Sequence, residues 1–209
     1  MEIVELLPLE KSELRNRPCD VLARVLAGKT PAVGALIAAP ELVERLAAAG
    51  YPEAIRRTSW TGRQKWFQDC IRAVLEREVR EISKIEYIRR MPWLLRVLAA
   101  HSRQRVNDSS AAPLGLGQWT TQKYTDVAQR LDCVRTLHPW YTNDLKRLVK
   151  RPTLHCLDSA LLAAPRNLSP ARLNCDRMVF GALLETFVRG ERLTLARWNS
   201  EPIDFWGPL

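Results

Sequence analysis

Gly28, Lys29 and Thr30 form a Gly-Lys-Thr triplet of the kind that closes a phosphate-cradling loop, where backbone N–H groups hold phosphates and the lysine reaches the outer ones. The triplet lacks its context. No glycine lies five residues before Gly28, and residues 12–27 read as helix where a phosphate loop needs a strand. No ATP turnover is expected from it. His155 beside Cys156 is the one close His/Cys pair, but neighbours on a strand point to opposite faces. The five cysteines, Cys19, Cys70, Cys133, Cys156 and Cys175, are odd in number and never form a C-x-x-C pair. Neither a disulfide framework nor a metal site is expected, and the cysteines read as small buried hydrophobes.

Charge singles out the middle of the chain. The 209 residues carry 32 Lys and Arg against 23 Asp and Glu, a formal net charge of +9. Residues 1–55 hold 6 basic and 8 acidic residues, whereas residues 56–105 hold 13 against 5 and residues 106–157 hold 7 against 4. Residues 158–209 are balanced. A basic face neutralises phosphates and releases their counterions, so nucleic acid is the natural partner to test. Solvated helix faces and acidic partner domains account for such charge equally well. The specific candidates are Gln122, Lys123 and Arg130 on a predicted helix, with Lys146, Arg147, Lys150 and Arg151 in the run KRLVKR.

The elements that must position these residues follow from periodicity and breakers. With 46% hydrophobic residues the chain can bury a core, and no apolar run approaches the ~20 residues of a membrane span. The start, MEIVELLPLEKSEL, has acidic residues before its apolar part and no small-residue cleavage site, so a cytoplasmic protein with no membrane partner is expected. That start reads as a short edge strand before a helix over 12–27, with Ser12 as N-cap and Gly28 as stop. Residues 40–50 read as a short helix with Pro40 at its first position and Gly50 at its end. The clearest helix spans 62–83, where Trp66, Phe67, Cys70, Ile71, Val74, Leu75, Val79 and Ile82 recur near the 3.6-residue period. Another should run from Met91 to about Arg105, with Pro92 in its first turn.

Breakers then organise the next stretch. Ser109 or Ser110 can cap a short helix, Gly115 and Gly117 make a turn, and Thr120 or Thr121 can cap a further helix. Helix, turn and helix, followed by extended segments around 134–140 and 152–157 joined by KRLVKR, is the pattern of a winged helix-turn-helix. Asp158 begins a short helical turn, residues 178–193 an amphipathic helix, and the end from Asn199 a loose tail.

The order of these segments resembles the carboxy-terminal part of prokaryotic AAA+ family ATPases, in which a domain of unknown function follows the ATPase core. The likeness is carried by MEIVELLPLEKSEL, GYPEAIRR, the arginine-rich helix ending REVREISKI, the winged-helix region, LVKRPTLHCLDSALLA and GALLETFVRGE. It implies a mainly α fold in three parts. Residues 1–55 would be a remnant of the end of the ATPase core with a linker helix. Residues 56–157 would be a helical and winged-helix domain, and 158–209 a truncated, incomplete α/β segment like a restriction endonuclease.

The family's end carries a helical Glu and an acidic pair. Glu185 matches the first and Asp204 the second acid of the pair, while Pro202 stands where the other acid belongs. Metal-dependent phosphodiester cleavage needs carboxylates converging on a divalent ion, usually beside a lysine, and no lysine follows Lys150. No catalytic residue, metal or cofactor is therefore expected. The resemblance implies a non-catalytic interaction or DNA-binding module derived from such an ATPase, a truncated fragment of it, with DNA as partner. Its alternative is a subunit of a split ATPase whose nucleotide-binding core is a separately encoded partner.

Overall fold

Where the sequence predicts one opening helix there are two, α1 (Lys11–Leu14) and α2 (Val21–Leu26), in a computed structural model that describes residues 6–31, 34–82, 86–100, 102, 118–137 and 152–199. Asn16, at a left-handed φ of 49°, and Pro18, which disfavours helix in the residue before it, break the run. Glu10, and not Ser12, is the N-cap of α1; its backbone N–H donates to the Glu13 carboxylate at 2.8 Å. Residues 6–10 lie in no strand, contrary to the expected edge strand, and residues 1–5 are outside the described set. α2 ends in a Schellman turn in which Gly28 (φ 69°) donates to the Val25 carbonyl and Lys29 to that of Arg24. The glycine of the Gly-Lys-Thr triplet is thus a helix stop, with a helix standing where a phosphate loop needs a strand.

α3 (Ala39–Ala48) carries Pro40 in its first turn, buries Val43, Leu46, Ala47 and Ala48, and ends where Ala49 turns left-handed at φ 50°. α4 (Pro52–Ile55) leads into the long α5 (Trp60–Ile82), whose predicted apolar stripe delivers Phe67 to the interior. Tyr51, Trp66 and Phe67 pack there as tilted and edge-on rings with centroids 4.8 to 5.8 Å apart. α6 (Glu86–Ala100) starts before Met91, so Pro92 lies inside the helix and not in its first turn. Leu94, Leu95, Leu98 and Ala99 are all buried, and this tertiary packing holds the helical run that a proline inside it would weaken.

α7 (Gln118–Arg130) precedes a two-stranded antiparallel sheet of β1 (Val134–Leu137) and β2 (Thr153–Cys156), with Val134 opposite Cys156 and Leu137 opposite Thr153. α8 (Ser159–Ala163) begins at Asp158, as the sequence predicts, and the Asp158 side chain accepts from the Ala160 N–H at 2.7 Å. The sequence reading omits α9 (Pro170–Cys175), although Ser169 caps it and Pro170 occupies its first turn. α10 (Arg177–Trp198) outruns its predicted end at 193 because Thr194, three turns on from Leu183, continues the same buried face.

One buried cluster joins these pieces. Val43 and Leu46 of α3 meet Leu94 and Leu98 of α6, Tyr124 and Ala128 of α7, Val134 and Leu154 of the sheet, Leu162 of α8, Leu173 of α9 and Leu183 of α10. The fold is therefore mainly α, with the strand pair pinned between α6, α7 and α8. No helix among the described residues is long and apolar enough to cross a membrane.

Candidate nucleic-acid interface

α7 buries one face and shows the other. Thr121, Tyr124, Thr125 and Ala128, spaced three and four apart, are at most 5% exposed and face α6 and β1. Thr125 keeps its hydroxyl satisfied on that face by donating to the Thr121 carbonyl at 2.9 Å. Gln122, Asp126 and Arg130 recur every fourth residue on the opposite side, with Lys123 beside them, and all four are exposed. Three of the predicted contact residues, Gln122, Lys123 and Arg130, thus share one solvent face. Asp126 among them lowers the positive charge of that face.

The turn after α7 fixes the sheet against it. Asp132 (φ 50°) donates to the Gln129 carbonyl and Cys133 to that of Ala128, a second Schellman turn with Asp in the left-handed position usually held by Gly. The chain then enters β1, where the Thr136 hydroxyl donates to Gln129 Oε1 at 3.4 Å and ties strand to helix. Arg135 on β1 lies 3.4 Å from the Asp132 carboxylate, and its pKa is lowered first by burial and then by the charge of Arg197 in the last turn of α10. The charge of an arginine distant in sequence thus reaches β1. Sequence spacing gives no signal of that interaction.

The other predicted residues fare differently. Lys146, Arg147, Lys150 and Arg151 lie outside the described residues; the last strand pair, Leu137 with Thr153, is where the segment bearing them leaves and rejoins the sheet. Glu185 is half-buried on α10, one turn from Arg189, whose cation its charge favours although burial lowers the Arg189 pKa to about 10. Its expected companion Asp204 lies outside the described residues. His155 and Cys156 are both buried; Thr153 Oγ1 sits 3.0 Å from His155 Nε2, and Ser102 Oγ accepts from the Cys156 N–H at 3.3 Å. Burial pushes the Cys156 thiol up to about 12, so it stays protonated and inert. Among the described residues no three His, Cys, Asp or Glu side chains gather as a metal site would require.

A second cluster of ionisable groups fastens the N-terminal segment, away from α7. Asp158 accepts from the N–H groups of Ala160 at 2.7 Å and Gly50 at 3.2 Å, while the Leu9 N–H donates to the Gly50 carbonyl at 2.9 Å. The Lys11 N–H donates to Glu191 Oε2 at 2.9 Å, its ammonium donates to the Ala49 carbonyl at 3.2 Å, and the same ammonium lies 5.5 Å from the Phe187 ring. Burial raises Asp158 to about 6 and Glu191 to about 7 against the nearby Lys11 cation, and lowers Lys11. The participants are up to 180 residues apart in sequence. Only the capping role of Asp158 is legible locally.

A family model described as Domain of unknown function (DUF8612) matches residues 39–172, well over half of the chain and all of the α7 and strand-pair unit. No curated protein and no solved structure matches.

Proposed function

The chain belongs to the DUF8612 family, a domain of unknown function, and from that premise we propose that it is a non-catalytic module that engages duplex DNA through α7 and the adjoining strands. The observation that carries this is the solvent face of α7, with Gln122, Lys123 and Arg130 exposed beside a strand pair and their helix anchored through its other side. A helix held that way can enter a major groove, where Gln reads adenine edges and Lys or Arg reads guanine edges or phosphates. In this reading β1 and β2 play the part of a wing, and the basic run KRLVKR lies between them in the sequence. Arg135 on β1 adds a further basic side chain.

The test is fluorescence anisotropy with a labelled duplex across a salt series. Affinity should fall steeply as salt rises, since phosphate contacts release counterions. An absence of binding at low salt would exclude this function.

An exposed apolar stretch favours a second role, attachment to a protein partner. Val21, Val25, Leu26, Leu36 and Ile37 are all 42% exposed or more. The AAA+ resemblance makes a separately encoded ATPase core the partner to try. Co-elution with such a core in size-exclusion chromatography, abolished by Val25→Asp with Leu36→Asp, is the expected result; unchanged elution of the wild-type chain would exclude it.

A further inference from the structure

A cavity of about 290 Å³ opens between the N-terminal segment, α5 and the turn after α7. We propose that it binds a neutral one- or two-ring aromatic molecule carrying one hydrogen-bond acceptor. Its volume sits at the lower end of small-molecule pockets, roughly 300–1,000 Å³, and suits a ligand of that size. Phe67, Ile71, Val74 and Leu161 give it apolar walls.

Three features narrow the chemistry. Tyr51 lines the cavity, and its phenol can donate a hydrogen bond to an acceptor there. No Lys, Arg or His lines the cavity and its one carboxyl is that of Asp132, so an anionic ligand would meet like charge without compensation. The two thiols in the wall, Cys70 and Cys133, are both held protonated by burial, Cys133 at about 12, so recognition here is noncovalent. The Tyr51 and Phe67 rings, edge-on to each other with centroids 5.3 Å apart, both line the cavity and offer ring surface to a flat guest. None of these residues belongs to the exposed face of α7, so the site is independent of DNA binding.

The experiment is isothermal titration calorimetry of the full chain with three matched probes, 2-acetylnaphthalene, 2-naphthoate and 2-methylnaphthalene. The ketone should bind with a Kd on the order of 100 µM, which ligand efficiency allows for a molecule of its size. The carboxylate should bind at least about tenfold more weakly. Tyr51→Phe should weaken the ketone by about three- to tenfold, the worth of one hydrogen bond, and leave 2-methylnaphthalene unchanged. Cys70→Phe, which fills the cavity, should abolish binding of all three. Absence of ketone binding at 1 mM, equal affinity for the carboxylate, or indifference of the ketone to Tyr51→Phe would each overturn the proposal. The Tyr51→Phe comparison stands even if Cys70→Phe fails to fold.

Discussion

Acidification should stabilise this chain through Asp158, in contrast to the acid lability usual for paired carboxylates. Its carboxyl is 7% exposed and rises from 3.8 to about 6, because burial outweighs the two backbone N–H groups and the Lys11 cation that favour its charge. A carboxyl raised in the folded state binds its proton more tightly there than in the unfolded chain. Its contribution is therefore complete below about pH 4, the unfolded value, and is lost as pH rises through about 6. Between about pH 7.5 and pH 5 the linkage amounts to roughly 1–2 kcal/mol, a shift of several degrees in Tm for a chain of this length. Glu191 and Glu10 are raised as well and act in the same sense.

Asp158→Asn isolates the effect. The amide can still accept from the Ala160 N–H, but it has no charge to desolvate and no proton to bind. Urea midpoints at the two pH values should show the wild type gaining roughly 1–2 kcal/mol more than D158N on acidification, with the m value unchanged. Taking the difference between the two proteins cancels the histidines and surface carboxylates common to both. Equal gains would refute the assignment of Asp158 as a buried, protonatable anchor.

Other outcomes follow from the same packing. Gly50→Ala places a methyl 2.8 Å from Pro8 Cβ and nearer still to the Leu9 carbonyl oxygen; a loss of about 1–3 kcal/mol, with faster hydrogen exchange at the Leu9 amide, is the expected result. Asp176→Ala removes the side chain that accepts from the Met178 and Val179 N–H groups at 3.1 Å, and should cost about 1 kcal/mol in chemical denaturation. Leu183→Ala, at a residue with no exposure in the common core, should cost about 2–5 kcal/mol by the same assay.

Local signals foretold the helices better than their limits. The helix α5, the Asp158 cap and the Gly28 stop each depend on local residues, and each is found where the sequence puts it. Boundaries that tertiary contacts decide were not legible. Buried Thr194 prolongs α10, and buried Leu94 and Leu98 hold a helix through Pro92. Gln122, Lys123 and Arg130 were legible as polar side chains of one helix, whereas the solvent face they share emerges only with the burial of Tyr124 and Ala128 on the other side. Arg135 with Arg197, Lys11 with Glu191, and the cavity beside Tyr51 unite segments distant in the chain, so no spacing rule could reveal them.

The most direct test of the DNA-binding proposal compares the wild type with the Lys123→Glu/Arg130→Glu double variant on one duplex, plotting log Kobs against log salt concentration. If α7 lies against phosphates, the wild-type slope should be steeply negative, and the variant should lose affinity with a slope shallower by about 0.9 for each contact removed, about 1.8 in all. Identical affinity and slope for the two proteins, with circular dichroism unchanged, would contradict the role given to α7.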